Sequence, residues 1–262
     1  MSRPALLTRA RESRARLLLA AADPAALTAA AETLARADLD CVLAVGDGGI
    51  VPESDPRLRA VADLLRSGAP ERIRDGIHAL DLAADPLRFA AGLLALGEAD
   101  ALLAGPGTKL EALADLARWT LGLPVAGTPV AGVVWLVGAD GSLVACADCG
   151  FAGGLDQSGR AGLAGAVGAL HTRIAGEPPR VAQVGADTPP RFRDRANVLI
   201  FPDGTAGLLA ARTARVVGGA RMLGPLLLGP PRVMTAVVED AEAEELVGTA
   251  AAAMLAAARA GT

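Results

Sequence analysis

The fold is decided by residues 196–231, ANVLIFPDGTAGLLAARTARVVGGARMLGPLLLGPP. This run predicts an apolar strand at 198–201, a turn around Asp203, and a helix at about 205–217 that Gly218 and Gly219 end. A strand that feeds directly into a helix leaves unpaired backbone N–H groups at the turn, which is where α/β proteins hold anions. The turn at Asp203 is therefore a candidate anion site. A tight turn with an aspartate cap is the alternative.

Length and composition restrict the class of protein. With 262 residues, the chain is long enough for one large domain or two modest ones. Hydrophobic residues make up 52% and charged residues 21%, which is typical of a globular protein. A formal net charge of −4 and an aromatic content of 2% argue against a nucleic-acid-binding protein, because such a protein needs a basic surface or aromatic stacking platforms.

Cysteine usage and hydropathy predict the compartment. The three cysteines, Cys41, Cys146 and Cys149, do not make a disulfide framework, which predicts a reducing cytosol. Cys146 and Cys149 form an isolated C-x-x-C pair, and the apolar run before it favours a buried strand end over a metal or redox site. No apolar run reaches the roughly 20 residues of a membrane span, and arginines interrupt any signal at the amino terminus. We expect a cytoplasmic protein with neither a membrane nor a nucleic-acid partner.

Strands and helices alternate along the first half of the chain. The predicted strands are 16–22, 41–45 and 99–104, and the predicted helices are 25–36, 56–67, 87–96 and 110–120. This alternation predicts β-α-β units and a mostly parallel sheet. The runs 130–137 and 142–147 flank a short Asp-Gly turn and predict an antiparallel hairpin. Further helices are predicted at 158–175 and 243–258, and a short strand at 181–185.

A second candidate anion site lies where the strand 99–104 ends. Gly105, Thr108 and Lys109 precede a predicted helix, and Lys109 is the only lysine of the sequence. Free N–H groups, a hydroxyl and an ammonium are groups that bind anions. The spacing is not that of a Walker A loop. A plain glycine-rich turn with a solvated lysine is the alternative.

These features together resemble the phosphate acetyltransferase and butyryltransferase family. The similar motifs are DPL at 85–87 with LGEAD at 96–100, the Gly-rich loop at 105–109, ADC at 147–149 and ANVLIFPD at 196–203. The last is followed at the family's spacing by Ala-Gly, Gly-Gly-Ala and Gly-Pro. The resemblance covers almost the whole chain, and its eight-residue motif is specific.

The resemblance implies a two-domain, three-layer α/β fold like that of isocitrate and isopropylmalate dehydrogenases. It implies mostly parallel sheets with an antiparallel hairpin in the second domain. Domain I would be residues 1–123 plus 232–262, and a shortened domain II residues 124–231. The implied protein is a homodimer that transfers an acyl group between coenzyme A (CoA) and phosphate in the interdomain cleft. CoA or acyl-CoA would be a substrate, and the resemblance implies neither a cofactor nor a metal.

The chain departs from the family where members carry Ser-Arg-Gly and then an Asp five residues beyond the Gly. A gapless placement puts Val238, Glu239 and Asp240 at the motif, and Glu245 at the acid. The resemblance then implies Glu245 as the base that forms the CoA thiolate. The predicted substrate-binding residues are Gly105, Thr108, Lys109, Asn197, Asp203 and Arg232, with Arg232 supplying the missing positive charge.

Two other functions stay open. The loss of the motif arginine is compatible with a catalytically degenerate paralogue that binds CoA or acts as a structural partner protein. A metal-dependent dehydrogenase of the same fold would use Asp81 and Asp85, but a helix cap explains Asp85 better.

Overall fold

The computed structural model describes residues 3–21, 23–39, 42–46, 48–123, 129–148, 155–185 and 196–258. Cys41, Cys149 and the predicted domain boundary at residue 124 lie outside these ranges. The helices are α1 (Arg3–Ser13), α2 (Pro24–Arg36), α3 (Leu58–Gly68), α4 (Gly76–Ala83), α5 (Pro86–Ala95), α6 (Leu110–Thr120), α7 (Gln157–Ala175), α8 (Gly204–Gly218) and α9 (Ala243–Ala257). The strands are β1 (Leu17–Ala20), β2 (Val42–Val45), β3 (Ala101–Ala104), β4 (Ala131–Val137), β5 (Leu143–Ala147), β6 (Val181–Gln183), β7 (Val198–Ile200), β8 (Arg221–Leu228) and β9 (Val233–Ala236).

The described strands form one continuous sheet in the order β2-β1-β3-β9-β8-β4-β5-β7-β6. Strands β2, β1, β3 and β9 are parallel to one another. Strand β8 is antiparallel to both β9 and β4, and β4 is antiparallel to β5. Strands β5, β7 and β6 are again mutually parallel. The chain direction in β5, β7 and β6 is therefore opposite to that in β3 and β9.

Helices cover both faces of this sheet and make three layers. Helices α1, α2, α7 and α9 pack on one face, through a core that includes Leu17, Trp135 and Met254. Helices α3 to α6 pack on the other face, and α8 covers a smaller cluster beside them. The predicted fold class, a three-layer α/β fold with mostly parallel strands and an antiparallel hairpin, is confirmed. The division into two domains stays a prediction.

Aspartate caps account for the helix starts that the sequence predicts. Asp23 accepts a hydrogen bond from Ala25 N at 3.0 Å and precedes Pro24 at the start of α2. Asp85 accepts from Arg88 N at 2.9 Å at the start of α5. Both helices begin with proline, whose missing N–H costs nothing in the first turn. The helix cap predicted for Asp85, in preference to a metal ligand, is the contact found.

Four elements are not predicted from the sequence: α1, α4, β8 and β9. Strand β8 has Gly224 and Pro225 at its centre, and this pair normally indicates a turn. Its pairing with β4 shifts register between Val133 and Trp135, next to that pair, so the strand continues through an irregularity. Strand β8 pairs with β4 on one side and with β9 on the other, and this pairing overrides the local preference of Gly224 and Pro225 for a turn.

Cys146 lies in β5 and is 1% exposed. Burial raises the pKa of its thiol to about 12, so the thiol stays protonated at neutral pH. This placement agrees with the predicted strand end. In the described part of the chain, no three His, Cys, Asp or Glu side chains come together in a way that would hold a metal ion. Every helix within the described ranges is too short or too polar to cross a lipid bilayer.

Candidate active site

The Gly-rich turn between β3 and α6 forms one wall of a cleft. Gly105 is buried and its N–H donates to Ala20 O at 2.8 Å, which fixes the turn against the end of β1. A Cβ on Gly105 would lie 2.6 Å from the Ala21 Cβ, so only glycine permits this approach. Gly107 has a φ of +83°, in the left-handed region. Thr108 is half-buried, and Lys109 is exposed at the N-cap position of α6, where no side chain caps the helix.

The opposite wall is one face of α8. Leu208, Arg212, Arg215 and Val216 all line the cleft, and their spacing of three and four residues puts them on one side of the helix. The two arginines lie in the carboxyl-terminal half of α8, whose last residue is Gly218. Neither arginine is part of a motif, and their helical spacing is the signal in the sequence that points to them.

The cleft between these walls has a volume of about 750 Å³. It lies beyond the carboxyl ends of β3 and β9, the usual place for a ligand in a parallel α/β sheet. Its floor includes Met222 and Pro225 of β8 and Val237, and the segment Val238, Glu239 and Asp240 forms one side. Gly107, Thr108, Lys109, Leu110 and Glu111 complete the lining on the α6 side.

Hydrogen bonds of Arg215 connect α8 to the start of α9. Its Nε and Nη2 atoms donate to the two carboxylate oxygens of Glu245 at 3.0 and 2.9 Å, and its Nη1 donates to Asp240 Oδ2 at 2.5 Å. The hydrogen bond from Arg215 lowers the pKa of the exposed Asp240 carboxyl. The positive charge of Arg215 is therefore already matched by two carboxylates.

Glu245 is 2% exposed and accepts four hydrogen bonds. Besides the two from Arg215, Met222 N donates to Oε1 at 2.8 Å and Glu242 N donates to Oε2 at 3.0 Å. The contact with Glu242 is half of a capping box that starts α9. Each oxygen thus has two donors, so a substrate thiol would have to displace one of them. The predicted role of Glu245 as a base stays a prediction.

Lys109 and Arg212 are the cations of the cleft that form no ion pair within the described ranges. They lie on opposite walls, one at the amino end of α6 and one on α8. An anion between them would gain from two charged donors and from the positive end of the α6 dipole. The predicted site residues that the structure brings to this place are Gly105, Thr108 and Lys109, with Glu245 behind Arg215.

The structure does not bring Arg232 or Asn197 to the cleft. Arg232 directly precedes β9, so it lies at the edge of the sheet where β3 and β9 begin, whereas Lys109 lies beyond their carboxyl ends. Asn197 is 3% exposed, and its side chain accepts from Arg180 N at 2.6 Å and donates to Pro178 O at 3.1 Å. The expectation that Arg232 supplies positive charge beside Thr108 and Lys109 is therefore corrected: the additional positive charge of the cleft comes from Arg212, on the opposite wall.

Asp203 caps the amino-terminal end of α8, which is the end away from the cleft. Its Oδ1 accepts from Thr205 N at 3.0 Å and from Ala206 N at 2.9 Å, which is the aspartate-cap alternative of the sequence prediction. Arg215 lies 12 positions after Asp203, which corresponds to about 18 Å of helix. Since β7 runs opposite to β9, the turn at Asp203 lies at the sheet edge away from the cleft.

Beside this turn lies a buried carboxyl group, Asp148, which is 2% exposed and has a φ of +63°. Its Oδ2 atom has no hydrogen-bond partner. Burial, and secondly the charge of Asp203, raise the pKa of Asp148, while Arg160 opposes the shift. A carboxyl group whose pKa is raised on folding stabilises the fold at low pH, and that contribution is lost as the pH rises through the folded-state pKa.

Replacing Asp148 by asparagine is therefore expected to stabilise the protein at neutral pH, by about 1 kcal/mol. Asparagine removes the charge and tolerates the left-handed backbone. Urea unfolding at a series of pH values tests this, and the gain is expected to shrink as the pH falls. Asp38→Asn is the matched control, because Asp38 also has a positive φ, of 52°, but its side chain is 77% exposed. A gain that is absent at neutral pH, or that grows in acid, would contradict the prediction.

Comparison with known proteins finds a family model that matches part of this chain. Residues 179–254, which include β7, α8, β8, β9 and most of α9, match the family model described as phosphate acetyl/butaryl transferase. This match confirms the resemblance to the phosphate acyltransferase family. The matched segment supplies Arg212, Arg215 and Glu245, and so one wall of the cleft and the network behind it. Comparison with curated protein sequences finds no match.

Solved structures of phosphate acyltransferases share the fold over nearly the whole chain. The EutD phosphotransacetylase from Staphylococcus aureus has a TM-score of 0.78 at 15% identity, covering 97% of this chain and 98% of its own. A phosphotransacetylase from Streptococcus pyogenes has a TM-score of 0.73 at 14% identity, with coverages of 98% and 99%. A branched-chain phosphotransacylase from Enterococcus faecalis V583 has a TM-score of 0.62 at 14% identity, with coverages of 92% and 99%. At these identities the likeness concerns the fold.

Proposed function

We propose that the chain transfers an acyl group between CoA and inorganic phosphate: acyl-CoA and phosphate give acyl phosphate and CoA. In this direction a phosphate oxygen forms a bond to the thioester carbonyl carbon, the carbon–sulfur bond breaks, and its electron pair leaves with the sulfur as thiolate. The single observation that carries the proposal is the cleft with Lys109 and the α6 amino terminus on one wall and Arg212 on the other. The family match to residues 179–254 supports it.

Each part of the proposed site has a chemical task. Lys109, Thr108 and the N–H groups at the start of α6 hold the phosphate, because charged and backbone donors together bind oxyanions. Arg212 neutralises negative charge from the other wall, and Arg215 fixes the backbone of Asp240 through a 2.8 Å hydrogen bond. In the reverse direction the CoA thiol has to lose its proton before it attacks, and Glu245 is the predicted acceptor.

An assay with acetyl phosphate or butyryl phosphate and CoA at near-physiological pH tests the proposal. The thioester product is followed by its ultraviolet absorbance. We expect thioester formation well above the rate without protein. If neither acyl phosphate gives thioester above that background, the chain is not a phosphate acyltransferase.

The second candidate function is a CoA-binding protein without catalysis. It is favoured by the segment Val238, Glu239 and Asp240, where phosphate acyltransferases carry Ser-Arg-Gly, and by the four donors that occupy Glu245. Calorimetric titration with CoA separates the two functions. Binding without turnover supports the second, and the absence of both binding and turnover excludes both.

A further inference from the structure

A second, smaller cavity of about 330 Å³ adjoins the cleft and shares Thr108 with it. We call it the side pocket; its lining includes Ala20, Ala21, Pro86, Leu87, Ala112 and Trp119. It lies between α6, the end of β1 and the start of α5. Thr108 therefore borders both cavities, and a ligand whose reacting end sits at Thr108 in the cleft is also next to the side pocket.

One wall of the side pocket is a face of α6. Ala112, Leu116 and Trp119 repeat at intervals of four and three residues, so they lie in one row along the helix. From Ala112 to Trp119 this row is about 10 Å long. Ala20 and Ala21 face it with the smallest apolar side chain, which leaves the space open.

Four charged side chains also line the side pocket, and they form two pairs, Arg72 with Asp115 and Arg88 with Asp85. Arg72 donates to both carboxylate oxygens of Asp115 at 2.7 and 3.0 Å, and Arg88 lies 3.9 Å from Asp85. Because each arginine is paired with an aspartate, the lining of the side pocket has no net positive charge to attract an anionic group. An ionised ligand would have to replace an existing partner, whereas an apolar group only displaces water.

Trp119 forms a fixed end of the side pocket. Its Nε1 donates to Leu65 O at 2.7 Å, and the guanidinium carbons of Arg72 and Arg88 lie 5.4 and 5.9 Å from the ring centroid. Trp119 as a whole is 8% exposed, so the packing around it limits the movement of its ring. The indole, with the two guanidinium groups against it, forms a rigid wall at the end of the row of Ala112, Leu116 and Trp119.

We propose that the side pocket holds the acyl chain of the substrate, and that the protein prefers acyl groups of several carbons over acetyl. The proposal rests on the proposed function, since it places the thioester carbonyl in the cleft near Thr108. An acetyl group there ends before the row of Ala112, Leu116 and Trp119. A six-carbon chain extends along it and buries its methylene groups.

Calorimetric titration with acetyl-CoA and hexanoyl-CoA tests the pocket without requiring turnover. We expect hexanoyl-CoA to bind at least about tenfold more tightly, because its four additional methylenes leave water. Ala112→Phe, at an exposed helix position whose side chain would fill the pocket, is expected to abolish that difference. Ala60→Phe, at an exposed position of α3 outside both cavities, is the matched control and is expected to keep it.

The outcomes separate the two proposals. Equal affinities of the wild-type protein for the two thioesters would overturn the acyl pocket and leave the proposed function intact. Tighter binding of hexanoyl-CoA that survives Ala112→Phe would place the chain elsewhere and also overturn it. If neither thioester binds, the proposed function itself fails and the acyl pocket with it.

Discussion

Replacing Glu245 by alanine is expected to lower the free energy of unfolding by about 3 kcal/mol. The substitution removes a carboxylate that is 2% exposed and leaves the donors of Arg215 and Met222 N without their acceptor. It also breaks the capping box at the start of α9. Arg215 keeps its contact with Asp240 and is itself partly exposed, which limits the loss.

Urea unfolding of the purified variant measures this change. Glu32→Ala is the matched control, because Glu32 makes an exposed ion pair with Arg36 within α2, and such pairs contribute less than about 1 kcal/mol. A Glu245 variant as stable as this control would contradict the structural role. Glu245→Gln separates that role from catalysis: if Glu245 is the base, thioester formation falls about a hundredfold or more while the folded variant still binds CoA.

Replacing Lys109 or Arg212 by alanine is expected to weaken phosphate use by roughly tenfold to a hundredfold, measured as kcat/KM. One charged hydrogen bond to an oxyanion contributes about 1.5–3 kcal/mol, and each of these side chains lacks a competing ion pair within the described residues of the cleft. The affinity for CoA in a calorimetric titration is expected to fall with it, because the pyrophosphate is also an anion. The effect is expected to decrease at high salt, since both side chains are exposed.

Arg59→Ala is the control for charge alone. Arg59 is exposed on α3 and does not line the cleft, so its removal changes the net charge by the same amount without changing the site. If the Lys109 and Arg212 variants behave like the Arg59 variant, the anion does not bind between α6 and α8. A loss confined to one of them would assign the phosphate to that wall.

The sequence predicts most helices of this protein because their starts are determined locally. The aspartate caps at Asp23, Asp85 and Asp203 come directly before their helices, and apolar periodicity extends each helix to within one or two residues of its observed end. Strand β8 could not be predicted in this way. Its Gly-Pro pair indicates a turn, and strand β8 becomes part of the sheet only through pairing with β9 and with β4, which is distant in sequence.

The sequence predicts the α6 side of the candidate site and Glu245 behind Arg215, but it does not predict the wall that α8 forms. In a fully parallel sheet, the turns after β3 and β7 would lie at the same edge, and Asp203 would lie near Thr108. Strands β8 and β4 instead reverse the chain direction between the two halves of the sheet, so Asp203 lies at the other edge. For the same reason α8 reaches the cleft with Arg212 and Arg215. That pairing depends on long-range topology, which local patterns do not contain.

The reversal of chain direction at β8 also gives the cleft an electrical polarity. Helix α6 points its amino end into the cleft, whereas α8 lines it with its carboxyl-terminal turns. The peptide dipole of α6 therefore contributes positive potential on its side, and that of α8 contributes negative potential on the other, which the α8 arginines oppose. A substrate with charge at only one end would therefore bind in one orientation, with its most negative group toward Lys109. The field between two helix ends, and not a single side chain, would decide which way round the molecule enters.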